Sequence, residues 1–270
     1  MVNMDIVKQL RDETGVAIMQ CKKALEEVGG DIEKAKVLLR KVSAQAAAKK
    51  ADRTLGAGTV QASVSADKQS VAVVVLACET DFVARNPEFV ALAKVIAEKA
   101  VAAQSDAMAE HPDVVQMLNE AVQKFGEKTQ VAQTVLAKGS VVNAYVHSNN
   151  TVAAIVALQT TATGDALSTL AYDIAMHTAA MAPRFVSRAQ VKEEDITAAK
   201  AIFEEEAAGK PAEMKEKIVA GKIEAYLKDK VLLEQPFVKN GEQTIKKVIE
   251  TASAAAGAPI EVTVAERLSV

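Results

Sequence analysis

The chain has no tryptophan, 3% aromatic residues, two cysteines and three histidines in 270 residues. Each scarcity excludes something. Cys21 and Cys78 lack CxxC spacing and His111, His147 and His177 are scattered, so the sequence predicts neither a structural zinc site nor a disulfide framework. The longest apolar run, Val71 to Cys78, is far short of the ~18–20 residues a membrane span needs. Asp5, Lys8, Arg11 and Asp12 interrupt any signal-peptide core in the first residues, and the expected location is the cytoplasm. No GxxxxGK[ST] loop is present and no GxGxxG follows a strand pattern, which removes the usual backbone cradles for a nucleotide. Lys and Arg number 32 against 35 Asp and Glu, and the net charge of −3 argues against general affinity for nucleic acid.

Alanine is abundant instead, at 51 residues, in a composition that is 50% hydrophobic and 25% charged. That bias favours helix, and the length suggests about two domains.

Three short amphipathic helices are predicted first. Met4 to Asp12 places Ile6, Val7 and Leu10 on one face, and Val16 to Val28 does so with Met19, Ala24, Leu25 and Val28. Gly29-Gly30 ends the second pattern, and Asp31 caps a third with Ile32, Ala35, Leu38, Leu39 and Val42 in register. This pattern runs on through Lys41, Lys49, Lys50 and Arg53 and stops at Leu55-Gly56-Ala57-Gly58, a linker that is part helix and part flexible hinge.

From Gly58 the period changes. TVQASVSA and SVAVVVLACET have the β-branched enrichment of strands, the second apolar enough to be buried on both faces. A helix follows Asn86-Pro87. Then VVNAYVHSNNTVAAIVALQT reads again as strand, turn, strand, and LSTLAYDIAMHTAAMAP as an Ala-rich helix. Val71 to Leu76 aligns with Val152 to Ala157 at an offset of 81 residues, which suggests an internally duplicated hairpin-plus-helix unit. After Pro183, Ile196, Ala199 and Phe203 precede Gly209-Lys210-Pro211, and Val219, Ile223 and Tyr226 follow it, all among dense Glu and Lys. This predicts a helical hairpin with a narrow apolar seam, suited to a protruding arm. A helix over Thr244 to Ala256 and a strand over Ile260 to Val264 complete the chain.

The most unusual local sequence is Glu79-Thr80-Asp81-Phe82-Val83-Ala84-Arg85-Asn86, directly after the most hydrophobic strand. Two readings stand side by side: Phe82 is an exposed anchor at a strand end, or Thr80 or Asp81 caps the next helix while Phe82 packs in the core. His147 has no paired carboxylate or second ligand at useful spacing, so a structural or turn role competes with that of a base or interface donor. His177 packs in its helix. Lys22 and Lys23 beside Cys21 favour a lowered thiol pKa, against the ordinary expectation of an inert thiol in an amphipathic helix. No Ser/His/Asp order, nucleophile elbow or metal cluster points to an enzyme.

Several of these segments together resemble the bacterial elongation factor Ts family: TGVAIMQCKKAL (14–25) with GGDIEKA (29–35), TDFVARN (80–86), AYVH (144–147), DIAMHTAAMAPRFV (173–186) and GKPAEMKEKIVAGKIEAYLKDKVLLEQPFVK (209–239). The matches keep the family's order from the N-terminus to Lys239. The resemblance implies an α+β fold: an N-terminal ubiquitin-associated-like three-helix bundle (1–53), a duplicated α/β core with antiparallel sheets (54–140, and 141–182 with 236–270), and an inserted coiled-coil hairpin (183–235). It implies a guanine-nucleotide exchange factor for the GTPase elongation factor Tu, with no covalent chemistry, no cofactor or metal and no direct nucleotide binding. Asp81 and Phe82, with Thr80 and Val83, would form a wedge beside the partner's nucleotide site. His147, the Phe125-Gly126 turn and Met19 match further partner contacts, and the hairpin matches a dimerisation module that forms either a homodimer or an arm. Ser148-Asn149-Asn150 replaces the Gly-Arg-rich turn of many relatives, and the extra C-terminal helix that some relatives lay on the GTPase is not expected here. The competing reading from another class is a general binding module whose N-terminal helices recognise a peptide or protein.

Overall fold

The computed structural model describes residues 2–270. Three helices, α1 (Met4–Thr14), α2 (Ile18–Glu27) and α3 (Ile32–Ala48), close around Val7, Leu10, Val16, Cys21, Leu25 and Leu39. Asn3 caps α1 by accepting the Asp5 amide at 2.9 Å, and Asp31 caps α3 by accepting that of Lys34 at 3.0 Å. Two residues expected on the apolar faces turn outward: Met19 is 70% exposed and Val42 40%. The third helix also ends earlier than predicted. Residues 49–53 form turns rather than helix, because their carbonyls are taken up elsewhere: Lys128 Nζ donates to Ala51 O at 2.6 Å and to Arg53 O at 3.0 Å. Nor is the glycine stretch beyond it a free hinge. Gly58 lies inside a strand, where a Cβ would stand 2.6 Å from Leu76 O, so close backbone approach explains that glycine.

The first half of the core comprises β1 (Ala57–Val64), β2 (Ser70–Cys78), α4 (Asp81–Ala84), α5 (Pro87–Ala103), α6 (Pro112–Phe125) and β3 (Gln130–Lys138). The second comprises β4 (Val141–Val146), β5 (Val152–Thr160), α7 (Asp165–Met181), the hairpin α8 (Glu193–Glu206) and α9 (Ala212–Lys230), a small ribbon β6 (Pro236–Phe237) and β7 (Asn240–Thr244), α10 (Ile245–Ala256) and β8 (Ile260–Ser269). Each half builds an antiparallel three-stranded sheet, β1-β2-β3 and β4-β5-β8. The fold is α+β. Both α6 and β3 go beyond the sequence expectation.

The apolar run of β2 is buried on both faces, as its composition predicts, yet a period of two lies within it. Ala72, Val74, Leu76 and Cys78 face α5 and α6, while Val71, Val73 and Val75 face the second sheet. In β5, Val156 and Leu158 face α7 and α10, while Ala153, Ile155 and Ala157 meet the first sheet. Four layers result, helices–sheet–sheet–helices. Each fully buried Val or Ile in this stack contributes about 1.5–3 kcal/mol.

Superposing the halves in register corrects the repeat. Val64 pairs with Val71 and Val146 with Ala153, the sheet irregularity falls after Val75 in one half and after Ala157 in the other, and the offset is 82 residues. An offset of 81 would equate residues on opposite faces of the two sheets, because strand side chains alternate. Alanines and valines are common enough in both strands for either alignment to look acceptable as letters. The halves also grip each other reciprocally. Val60 N donates to Asn150 O at 2.7 Å, and Val142 N donates to Lys68 O at 2.8 Å, both pairs related by the same offset. Lys68 (φ 57°) and Asn150 (φ 57°) occupy matching left-handed turn positions.

The hairpin is inserted between α7 and α10, where the first half passes from α5 to α6. Phe203 and Tyr226 meet edge-on across its seam at 6.3 Å, and Arg188 ties its base by pairing with Glu224 at 2.8 Å and Glu234 at 2.5 Å. His177 secures the chain where it leaves the arm. It is wholly buried; Val238 N donates to its Nδ1 at 3.2 Å, so the proton sits on Nε2, which donates to Gln235 Oε1 at 2.9 Å. Burial holds this imidazole below its ordinary pKa against the opposing Gln235 bond. The folded state therefore binds a proton less readily than the unfolded chain, whose histidine titrates near pH ~6.5. Stability from His177 is complete above that pH and declines as the pH falls through it towards the folded value. We expect the thermal midpoint to drop between about pH 7 and 5, and His177→Gln to flatten that slope while lowering the midpoint at pH ~7.5. An unchanged slope in the variant would assign the acid sensitivity to other groups.

Candidate functional site

At the end of β2 the chain turns sharply into α4. Thr80 is extended (φ −125°, ψ 156°) and its hydroxyl accepts the Val83 amide at 3.5 Å. The cap predicted for Thr80 is present, but the packing predicted with it is not. Phe82 is 86% exposed, whereas the other five phenylalanines are buried or half-buried. Val83 and Ala84 supply the inward face of this single turn, packing on the core that contains Leu76 and Phe89. Asp81, Phe82 and Arg85 are left outside, with Asp81 and Arg85 paired at 3.3 Å across exposed surface, a contact of little energy.

The turn is held from behind by the segment after α6. Glu127 accepts the Glu79 and Thr80 amides on Oε2 at 3.1 and 3.0 Å and the Thr80 hydroxyl on Oε1 at 2.6 Å. Glu79 returns the contact by accepting the Lys128 amide at 2.6 Å; that bond and the Arg53 guanidinium at 3.1 Å hold its carboxyl below the usual range. Lys50 Nζ reaches Gly126 O at 2.5 Å. Neither Glu127 nor Lys128 carries a local sequence signal, since their partners lie 47 to 77 residues away.

Phe125 and Gly126 stand at this corner. Gly126 ends α6 in the left-handed region (φ 75°) and is exposed, while the Phe125 ring is half-buried and edge-on to Phe89 at 5.6 Å. Gln123, on the last turn of α6, donates to Gln20 at 2.9 Å, and so places α2 and the exposed Met19 beside the same helix end. His147 arrives from the other sheet. It is exposed in the β4–β5 turn with its Nδ1 3.0 Å from the Tyr145 hydroxyl, and Asn150 of that turn docks on Val60 and Gln61 of β1. Ala57 of β1 pairs with Cys78, so the turn sits within four residues of the strand end that leads into Thr80. Thr80, Asp81, Phe82, Val83, Phe125, Gly126, His147 and Met19 thus gather at one end of the first sheet, though they come from four separate stretches.

His177, by contrast, lies with the arm, and both thiols are buried. Burial raises the pKa of Cys21 despite its lysine neighbours, and burial beside Glu127 pushes Cys78 up to about 11. The turn holds one exposed aromatic ring among exposed polar groups. In the second half, the matching stretch after β5 reads Thr161-Ala162-Thr163-Gly164 and carries no aromatic residue.

Comparison with known proteins supplies a family. The Elongation factor TS family model matches residues 79–270, beginning at the glutamate that opens the Phe82 turn. The protein named Elongation factor Ts from Cellvibrio japonicus is 42% identical over 98% of this chain and 91% of its own. Those of Prosthecochloris aestuarii and Clostridium perfringens are 40% and 37% identical, over 95% and 97% of this chain and 94% and 91% of theirs. The relatives span the N-terminal helices as well as the core, and this chain belongs to the elongation factor Ts family of translation elongation factors.

Proposed function

We propose that the chain binds elongation factor Tu in its GDP form and accelerates release of the nucleotide. The observation that carries this reading is Phe82, almost wholly exposed on a turn fixed by charge-assisted hydrogen bonds. An exchange factor needs no acid, base or nucleotide pocket of its own. It binds the nucleotide-free partner more tightly than the loaded one, and by linkage weakens nucleotide binding by the same coupling free energy. Phe82 inserts beside the partner's nucleotide site and displaces groups that hold the magnesium ion; Asp81 enters with it. Gly126, His147 and Met19 dock on flanking surface, with Phe125 bracing the corner from the core side. The division into a docking bundle (1–53), two core halves (54–140, and 141–182 with 236–270) and a dimerising arm (183–235) belongs to the same proposal, supported by the separate apolar clusters of bundle and core and by exposed Ile202 and Met214 on the arm.

Stopped-flow fluorescence of labelled GDP on elongation factor Tu tests the reading. Micromolar chain is expected to accelerate release by orders of magnitude, with saturation at high concentration. No acceleration would overturn it.

A further inference from the structure

We infer that Glu127 is the positioning residue of the Phe82 turn: its carboxylate, through Thr80, sets the orientation in which the ring is presented. The inference rests on the exchange reading above and adds to it a residue that acts through Thr80. Glu127 Oε1 accepts a hydrogen bond from the Thr80 hydroxyl at 2.6 Å, and that hydroxyl oxygen accepts the Val83 amide at 3.5 Å. The Val83 amide belongs to the peptide unit joining it to Phe82. A continuous chain of hydrogen bonds therefore runs from the carboxylate to the backbone that carries the ring. Oε2 fixes the two preceding amides, so residues 79, 80 and 83 are all referred to one anionic group.

The anchor is itself immobilised. Glu79 accepts the Lys128 amide in return, so the two segments are stapled in both directions, and Phe125 locks the end of α6 on Phe89. Bonds to an ionised acceptor are shorter and stronger than neutral ones, and a ring held in place before docking loses less freedom on binding. A residue that only satisfied loose amides would not explain why one carboxylate serves the whole turn.

The test is a double-mutant cycle on saturating GDP release from elongation factor Tu, with the thermal midpoint of each full-length variant recorded beside it. Wild type is measured first: absence of acceleration defeats the exchange reading and this inference together. Given an active wild type, Glu127→Ala is expected to lower the maximal release rate by about tenfold. Phe82→Ala combined with Glu127→Ala is expected to be no slower than Phe82→Ala alone, because a misdirected ring and a missing ring are equivalent. Glu127→Gln, which retains an acceptor for the two amides, should recover part of the rate, and it takes the place of alanine in the cycle if the alanine variant is unfolded at assay temperature. Losses that multiply in the double variant, or a folded Glu127→Ala with wild-type release, would leave exchange standing and overturn the positioning role.

Discussion

Phe82→Ala is expected to reduce the saturating rate of GDP release from elongation factor Tu by roughly 30-fold or more while leaving the fold intact. An aromatic anchor that fills a desolvated pocket typically contributes ~2 kcal/mol or more, and that energy corresponds to the stated factor. The unbound chain loses little, because a ring that is 86% exposed buries almost no area on folding. Its truncation should change stability by no more than about 0.5 kcal/mol. Stopped-flow exchange and calorimetric unfolding on the same preparation separate the two quantities. A large fall in thermal midpoint would mean that the ring packs in solution, and the core reading of Phe82 would return.

The reverse pattern is expected of Phe89→Ala, seven residues further on. Phe89 is wholly buried between β2 and α6 and meets Phe125 edge-on. Removing it leaves a cavity in the layer shared with Leu76, Ile96 and Val114, at a cost of about 3–5 kcal/mol. For a domain of this size that is a fall in midpoint on the order of 10 °C. A change of less than about 2 °C, read by scanning calorimetry, would show that the layer collapses around the gap. On the exchange reading the two phenylalanines divide stability from partner action, and a single pair of alanine variants tests the division.

Much of the architecture was legible in local patterns. The bundle helices, the strand runs, the Gly-Lys-Pro hairpin and the Thr80 cap all follow from periodicity and capping chemistry, which act within a few residues. What escaped depended on distance. The strand β3 is an edge whose polar Gln130, Gln133 and Thr134 dilute any alternation, and it becomes a strand by pairing with β2. Met19 in α2 and Val42 in α3 each fit the apolar stripe of their own helix as letters, but the small bundle leaves both exposed. At the site, spacing left Phe82 divided between core and surface. The structure places it outside because Val83 and Ala84 already fill the inward face of a one-turn helix. Glu127 was invisible for a different reason: its contacts with Glu79 and Thr80 join stretches that only the completed sheet brings together.

The reciprocal bonds between Val60 and Asn150 and between Val142 and Lys68 are those expected of two identical subunits related by a twofold axis, here joined in one chain. In a true pair of identical subunits every surface feature occurs twice. Covalent fusion removes that constraint, and the halves have diverged where symmetry would otherwise have duplicated an exposed ring: Phe82 follows β2, while Thr161 to Gly164 follow β5. On the exchange reading, the consequence is a stoichiometry. Each chain engages one GTPase, and the opposite end of the twofold core is left free of a second.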